Sequence, residues 1–293
     1  MKITNNHVKG IIYILIAAFC FSIMTLCVRL AGDLPTMQKV FFRNAVAAII
    51  AVVTLARSAD GFKIKKTSWP SIIMRCVFGT AGMILNFWAI DRLGLADANM
   101  LNKMSPFFAI IISIFILKEK PTLVEWITLV IAFIGAAFIV KPTAGIASLP
   151  ALAGLGGGLG AGIAYAFVRK LGIQGERGPV IVMCFSLFSC LVAVPFIIID
   201  GEPMTWQQTL LLTGSGVAAA GGQFGITAAY QHAPAKEISV FDYMQVVFAT
   251  LWGVILFSEL PDVFSIIGYV LIIGTAVFKW QYNIRRSADS EAS

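Results

Sequence analysis

The sequence predicts an all-α membrane protein, with ten transmembrane helices arranged as two inverted five-helix repeats and both termini cytoplasmic. Three observations carry this. Of the 293 residues, 58% are hydrophobic and 13% charged, where a soluble domain averages about 25% charged. The apolar residues fall into runs close to the roughly 20 residues that cross a bilayer core. The chain also matches itself at a fixed shift of 140 residues.

The apolar runs place spans near 10–30, 37–56, 69–90, 97–117, 122–140, 149–168, 179–199, 206–229, 237–257 and 262–282. Asp33, Pro35 and Thr36 separate the first two, and the longest polar stretch runs from Arg57 to Ser68. Lys118-Glu119-Lys120-Pro121 and Ser258-Glu259-Leu260-Pro261 end the fourth and ninth, each with a proline suited to the first turn of a following helix. The first span follows Lys2 and Lys9; its length and the nine spans after it identify a retained helix rather than a cleaved signal. Short connections use up the rest of the chain, so no soluble catalytic domain fits.

Basic residues set the orientation. With the N-terminus inside, fifteen Lys and Arg lie on cytoplasmic segments, and four (Arg29, Lys39, Arg92, Lys141) on outer margins. That is a clear positive-inside bias. The net charge of +7 therefore reflects topology, and no nucleic-acid partner is expected. The expected location is the inner (plasma) membrane, with lipid as surroundings and a monomer or homodimer as the assembly. The five cysteines lie in apolar runs without the paired spacing of a metal or redox motif, so neither metal nor cofactor is expected.

The self-match defines two units, 9–142 and 147–282, with 283–293 as a cytoplasmic tail. Shifted by 140, Val28, Arg29 and Gly32 fall on Val168, Arg169 and Gly172, and Gly82 on Gly222. Met104 and Phe108 fall on Met244 and Phe248, and Glu119 and Pro121 on Glu259 and Pro261. Apolar coincidences are cheap, but Arg, Gly, Glu and Pro matches in one register are not. Five spans per unit is an odd number, so the second unit is inverted. Inverted repeats are the architecture of secondary transporters, whose substrate site lies at the repeat interface near the midplane.

At this point the sequence resembles the drug/metabolite transporter superfamily, EamA-type branch. Ser105-Pro106-Phe107-Phe108-Ala109 through Pro121, its second copy Phe241-Asp242-Tyr243-Met244-Gln245 through Pro261, and Phe42-Arg43-Asn44 carry the resemblance. It implies a carrier of amino acids, amines, nucleobase-type compounds, vitamins or nucleotide cofactors. It also implies a cavity lined mainly by spans one, three, four, six, eight and nine. The second copy has Gln245-Val246 where the first has Ser105-Pro106, so a proline break is expected in the fourth span only.

Charges at bilayer depth are costly and mark functional sites. Lys103 lies about 9 Å from the outer end of its span and Asp242 about 8 Å from the inner end of its own. In a 30 Å core the two are offset by about 13 Å along the normal. Lys103 is assigned to a carboxylate or phosphate, Asp242 to an amine or a coupling proton. The bland reading has each satisfied by a neighbour, or Lys103 snorkelling. Arg43 and Arg75 are expected to snorkel or pair locally. Asn102, the repeat counterpart of Asp242, joins Tyr243, Gln245, Asn86, Trp88, Tyr165, Gln223 and Tyr230 as further lining candidates; for each, ordinary packing is the competing reading.

Repeat logic yields two expected gate pairs, Arg29–Glu259 outside and Arg169–Glu119 inside. Against it, the glutamates favour helix N-termini and the arginines lipid phosphates. Gly154, Gly158 and Gly162 share a face of span six, as Gly221 and Gly225 do in span eight, which is the spacing of close helix packing. Trp69, Trp126, Trp206 and Trp280 read as interface anchors. Histidines occur only at His7 and His232, both outside the spans, and Asp242 is the one carboxylate well inside a span. An intramembrane enzyme needs several convergent titratable groups, so none is expected; a channel would need a ring of like groups. The sequence-level reading is a secondary carrier for a small polar metabolite, amino acid or amine, with proton coupling through Asp242. The alternative is an exporter of drugs, nucleobase-like compounds or vitamins.

Overall fold

The computed structural model describes residues 5–116, 122–140, 148–232 and 239–292. They form eleven α-helices and two 3-10 turns, with no strand among the described residues. The helices are α1 (Asn5–Leu30), α2 (Thr36–Ala56), α3 (Trp69–Ile90), α4 (Leu95–Asn102), α5 (Ser105–Ile116), α6 (Leu123–Val140), α7 (Leu149–Ile173), α8 (Gly178–Asp200), α9 (Trp206–His232), α10 (Met244–Phe257) and α11 (Val263–Ala292). The 3-10 turns are Lys66–Ser68 and Ser239–Tyr243. Six helical segments among the described residues are long and apolar enough to cross a membrane: Val8–Leu30, Thr36–Ala56, Lys66–Ile90, Leu149–Ile173, Gly178–Asp200 and Val263–Tyr282. Trp126–Ile139 and Phe241–Phe257 are shorter apolar helices. The last helix continues through Ala292, across the stretch expected to be a tail.

Sequence signals account for the boundaries. Pro70, Pro150 and Pro179 sit in the first turns of α3, α7 and α8, where a missing N–H costs nothing. Ser148 caps α7 by accepting from Ala151 N. Ser258 ends α10 in the left-handed region at φ 55°, which turns the chain sharply before Glu259. Trp69, Trp126 and Trp206 lie exposed near helix N-termini, as anchors would. Trp280 instead packs edge-on against Phe241.

The two halves interlock. The α3–α7 contact is answered by α9–α1, α5–α7 by α10–α1, and α2–α9 by α8–α3. Contacts α2–α8 and α6–α11 join repeat counterparts directly. Exchanging the halves maps this pattern onto itself, which is the signature of a pseudo-two-fold relation. Glycines set the closest approaches. A Cβ on Gly160 would lie 2.7 Å from Gly82 Cα, and one on Gly268 2.6 Å from the Gly135 carbonyl. The Gly158 and Gly162 face of α7 receives the backbone of the fourth span itself. Added Cβ atoms there would sit 2.6 Å from Leu101 O and 2.7 Å from Ser105 O.

The fourth expected span, 97–117, is two helices. Pro106 offers no N–H to the carbonyl four residues back. Phe107 N and Phe108 N both bond Met104 O, so the Lys103 carbonyl is released from the helix ladder and accepts from Tyr243 Oη at 3.2 Å. The second copy has no proline, yet α10 is preceded by the 3-10 turn Ser239–Tyr243. Contacts made by Asp242 and Tyr243 with the fourth span hold that turn.

Candidate functional site

The break in the fourth span meets the 3-10 turn that leads into α10. Lys103, at the C-cap of α4, reaches Asp242 Oδ2 with its Nζ at 2.5 Å. The 13 Å offset expected from hydropathy is thereby corrected. Helix α4 starts at Leu95, two residues before the expected span, and the long lysyl stem adds reach toward Asp242. Asp242 Oδ1 has no protein partner.

Lys103, with Asp242 bonded to it, lines a cavity of about 110 Å³ between the halves. Asn86, Asn102, Lys103, Tyr165, Gln223 and Gln245 line it, together with Phe21, Met24 and Thr25 of α1. Six of the ten expected substrate residues thus share one cavity, and Asp242 and Tyr243 contact Lys103. Gln245 is held by Asn99, its Nε2 donating to Oδ1 at 2.8 Å. Asn86 Oδ1 is buried without a protein partner. Trp88 is elsewhere: the Arg92 guanidinium lies 4.1 Å from its ring centre, outside the cavity lining. The Tyr230 side chain lies outside the described residues.

Two further residues belong to this cavity: both are buried, and Arg43 pairs locally with Asn44. Arg43 is 6% exposed and Arg75 8%, and both line the cavity. Their guanidinium carbons lie 5.8 and 4.0 Å from the centre of the same Phe185 ring. Arg43 Nη1 donates to Asn44 Oδ1 at 2.6 Å. Neither arginine has a carboxylate partner among the described residues, and the Nε of each is buried without an acceptor. A sequence signal existed: neither 36–56 nor 69–90 contains an acidic residue that could pair with them.

One end of the bundle is closed by polar contacts. Arg29 Nη2 donates to Glu259 Oε1 at 2.8 Å and its Nη1 to the Ile90 carbonyl at 2.5 Å. Glu259 Oε2 accepts from Leu95 N at 2.8 Å, at the start of α4, so the glutamate binds an arginine and a helix N-terminus together. Fully buried Lys39 pairs with Asp91 at 2.7 Å, and Tyr269 Oη donates to Asp97 at 2.6 Å. Of the second expected pair, Glu119 and the Arg169 side chain lie outside the described residues. Among those described, no cluster of metal-ligating side chains occurs, and all five cysteines are free.

A helical membrane protein with a charged cavity enclosed between two interlocking halves has the architecture of a solute carrier. Comparison makes the class specific: this chain belongs to the EamA-like transporter family, whose model matches it twice, at residues 8–141 and 148–279. Among its relatives, the pseudopaline exporter CntI of Pseudomonas aeruginosa is 35% identical over 269 residues, 90% of this chain and 93% of that protein. The riboflavin transporter of Vibrio cholerae is 25% identical, covering 98% of both. Human solute carrier family 35 member G1 is 26% identical over 92% of this chain and 80% of its own. One solved crystal structure superposes with a TM-score of 0.64 at 18% identity, covering 95% of this chain and 98% of the other, and supports the fold alone. The protein is therefore a multi-pass membrane transporter.

Proposed function

We propose that the chain is a secondary carrier of the inner membrane. It has ten spans in two inverted repeats, 9–142 and 147–282, keeps both termini cytoplasmic, and works by alternating access. Its substrate is a small zwitterionic metabolite of the amino acid or amine class, bound in the cavity between the halves. The Lys103–Asp242 pair supports this best: opposite charges from the two halves meet where Lys103 lines the cavity. A substrate carboxylate competes for Lys103 and a substrate ammonium for Asp242, so binding exchanges one internal ion pair for two external ones. Asp242 is also the acid placed to take up a proton in exchange.

Counterflow of labelled amino acids and amines in proteoliposomes tests the proposal. Lys103→Met should abolish zwitterion-dependent counterflow. For proton coupling, Asp242→Asn should stop uptake driven by a proton gradient and leave counterflow intact; gradient-driven uptake that survives would refute the proton role. Relatives named as an exporter and as a vitamin transporter support a second reading, outward transport of a larger metabolite. Flux that requires substrate on the cytoplasmic face would select it.

A further inference from the structure

We infer that Arg43 and Arg75 form a second, oxyanion-binding subsite in the same cavity, so that the substrate carries acidic oxygens beyond one carboxylate and is a net anion. The inference deepens the carrier reading and rests on it. Its basis is charge accounting among the described residues that face the cavity. Arg43, Arg75 and Lys103 supply three positive charges; Asp242, held by Lys103, supplies the single negative one. Two buried guanidinium groups on one aromatic ring are left without a counter-charge, an arrangement that costs free energy unless an anion completes it.

The local structure is arranged to hold these charges. Phe185 of α8 gives both guanidinium groups a π face, which attracts a cation without neutralising it. Gly79, one turn along α3, makes the niche for Arg75: a Cβ there would lie within 1.9 Å of Arg75 Nη1. The forked donors of arginine match a carboxylate or a phosphate in two parallel hydrogen bonds. Asn86 Oδ1, unpartnered beside them, adds an acceptor for a hydroxyl or ammonium on the same molecule.

Thermal unfolding of the full-length protein in mild detergent tests this. Succinate, inorganic phosphate and neutral alanine are titrated at constant ionic strength against chloride. Wild type should be stabilised by succinate or by phosphate, and which of the two acts identifies the oxyanion. Arg43→Gln and Arg75→Gln should weaken that apparent affinity about tenfold or more, and Arg92→Gln should not change it. Gly79→Ala, which displaces the Arg75 side chain but keeps its charge, should weaken it as well.

If the arginines are structural instead, the glutamine variants will unfold earlier while anion stabilisation in wild type is absent or survives both substitutions. Either result overturns the subsite. Transport separates the two proposals. Zwitterion flux indifferent to Arg75→Gln, with no anion effect, removes the subsite and keeps the carrier. Arginine-dependent anion binding with no flux of any zwitterion keeps the subsite and removes the zwitterion reading.

Discussion

Lys103 and Asp242 allow a double-mutant cycle that separates stability from transport. Their side chains are 10% and 20% exposed, so the pair is largely removed from water. Deleting one member of a fully buried pair costs about 3–5 kcal/mol, because the other charge is left uncompensated. Access to the cavity relieves part of this, so Lys103→Met or Asp242→Leu alone should cost about 2–3 kcal/mol. At about 2–4 °C per kcal/mol for a chain of this size, the melting temperature falls by roughly 4–12 °C. The double variant replaces the pair with apolar volume and should return to within about 1 kcal/mol of wild type. The coupling is then at least about 2 kcal/mol, well above the few tenths that independent sites show. Unfolding in mixed micelles measures stability, and proteoliposome counterflow measures transport. Stability should be restored in the double variant while flux stays absent. Additive destabilisation would refute the pair as a coupled unit, and wild-type flux in the double variant would remove it from the substrate path.

Three further outcomes follow from the packing and the closed end. Gly162→Ala places a Cβ 2.6 Å from Phe108 Cβ and 2.7 Å from Ser105 O, and should cost about 1–3 kcal/mol by overpacking. Gly172→Ala meets nothing within 4 Å and should gain up to about 1 kcal/mol of helix propensity; equal effects at the two sites would show that α7 does not clamp the interrupted helix. Glu259→Gln keeps an acceptor for Leu95 N but loses the charge facing Arg29. It should raise labelling of a cysteine placed at Thr25 by an impermeant maleimide from outside, and unchanged labelling would remove the pair from gating. Exchanging Arg29 and Glu259 should rescue the single charge reversals only partly, because an arginine at 259 cannot accept from Leu95 N; absence of any rescue would have the same meaning.

The repeat and the apolar runs could be read from the sequence because each depends on a period or a register, and six polar residues of the cavity lining were named with them. The 140-residue match already pairs Asn102 with Asp242, and Gly82 with Gly222. Three features needed tertiary structure. The 3-10 turn ahead of α10 has no proline to announce it; its Asp242 and Tyr243 contact a segment about 140 residues away in sequence. The start of α4 was misplaced by two residues, because hydropathy does not resolve helix ends that finely. Arg43 and Arg75 have Met183 and Ser215 at the positions 140 residues on, so the repeat gave them no prominence. Only the packing of α2, α3 and α8 around Phe185 shows that they face inward.

The contacts of α4 bear on how such a carrier could move. Along its short length, Leu95 N, Asp97, Asn99 and Lys103 bond Glu259, Tyr269, Gln245 and Asp242 in turn, all from the second half. In reciprocal fashion, the turn at Ser239–Tyr243 packs on α1, and its Asp242 and Tyr243 hold Lys103. Each of these segments is therefore bound to the opposite half, and the helix ladder is open just after α4. Under alternating access, α4 travels with the second half and flexes at Lys103–Met104, where the helix ladder is already open. The residues proposed to bind substrate are then the residues at the hinge. A ligand that separates Lys103 from Asp242 also removes a bond between the halves, and its binding energy acts directly on the equilibrium between the two faces.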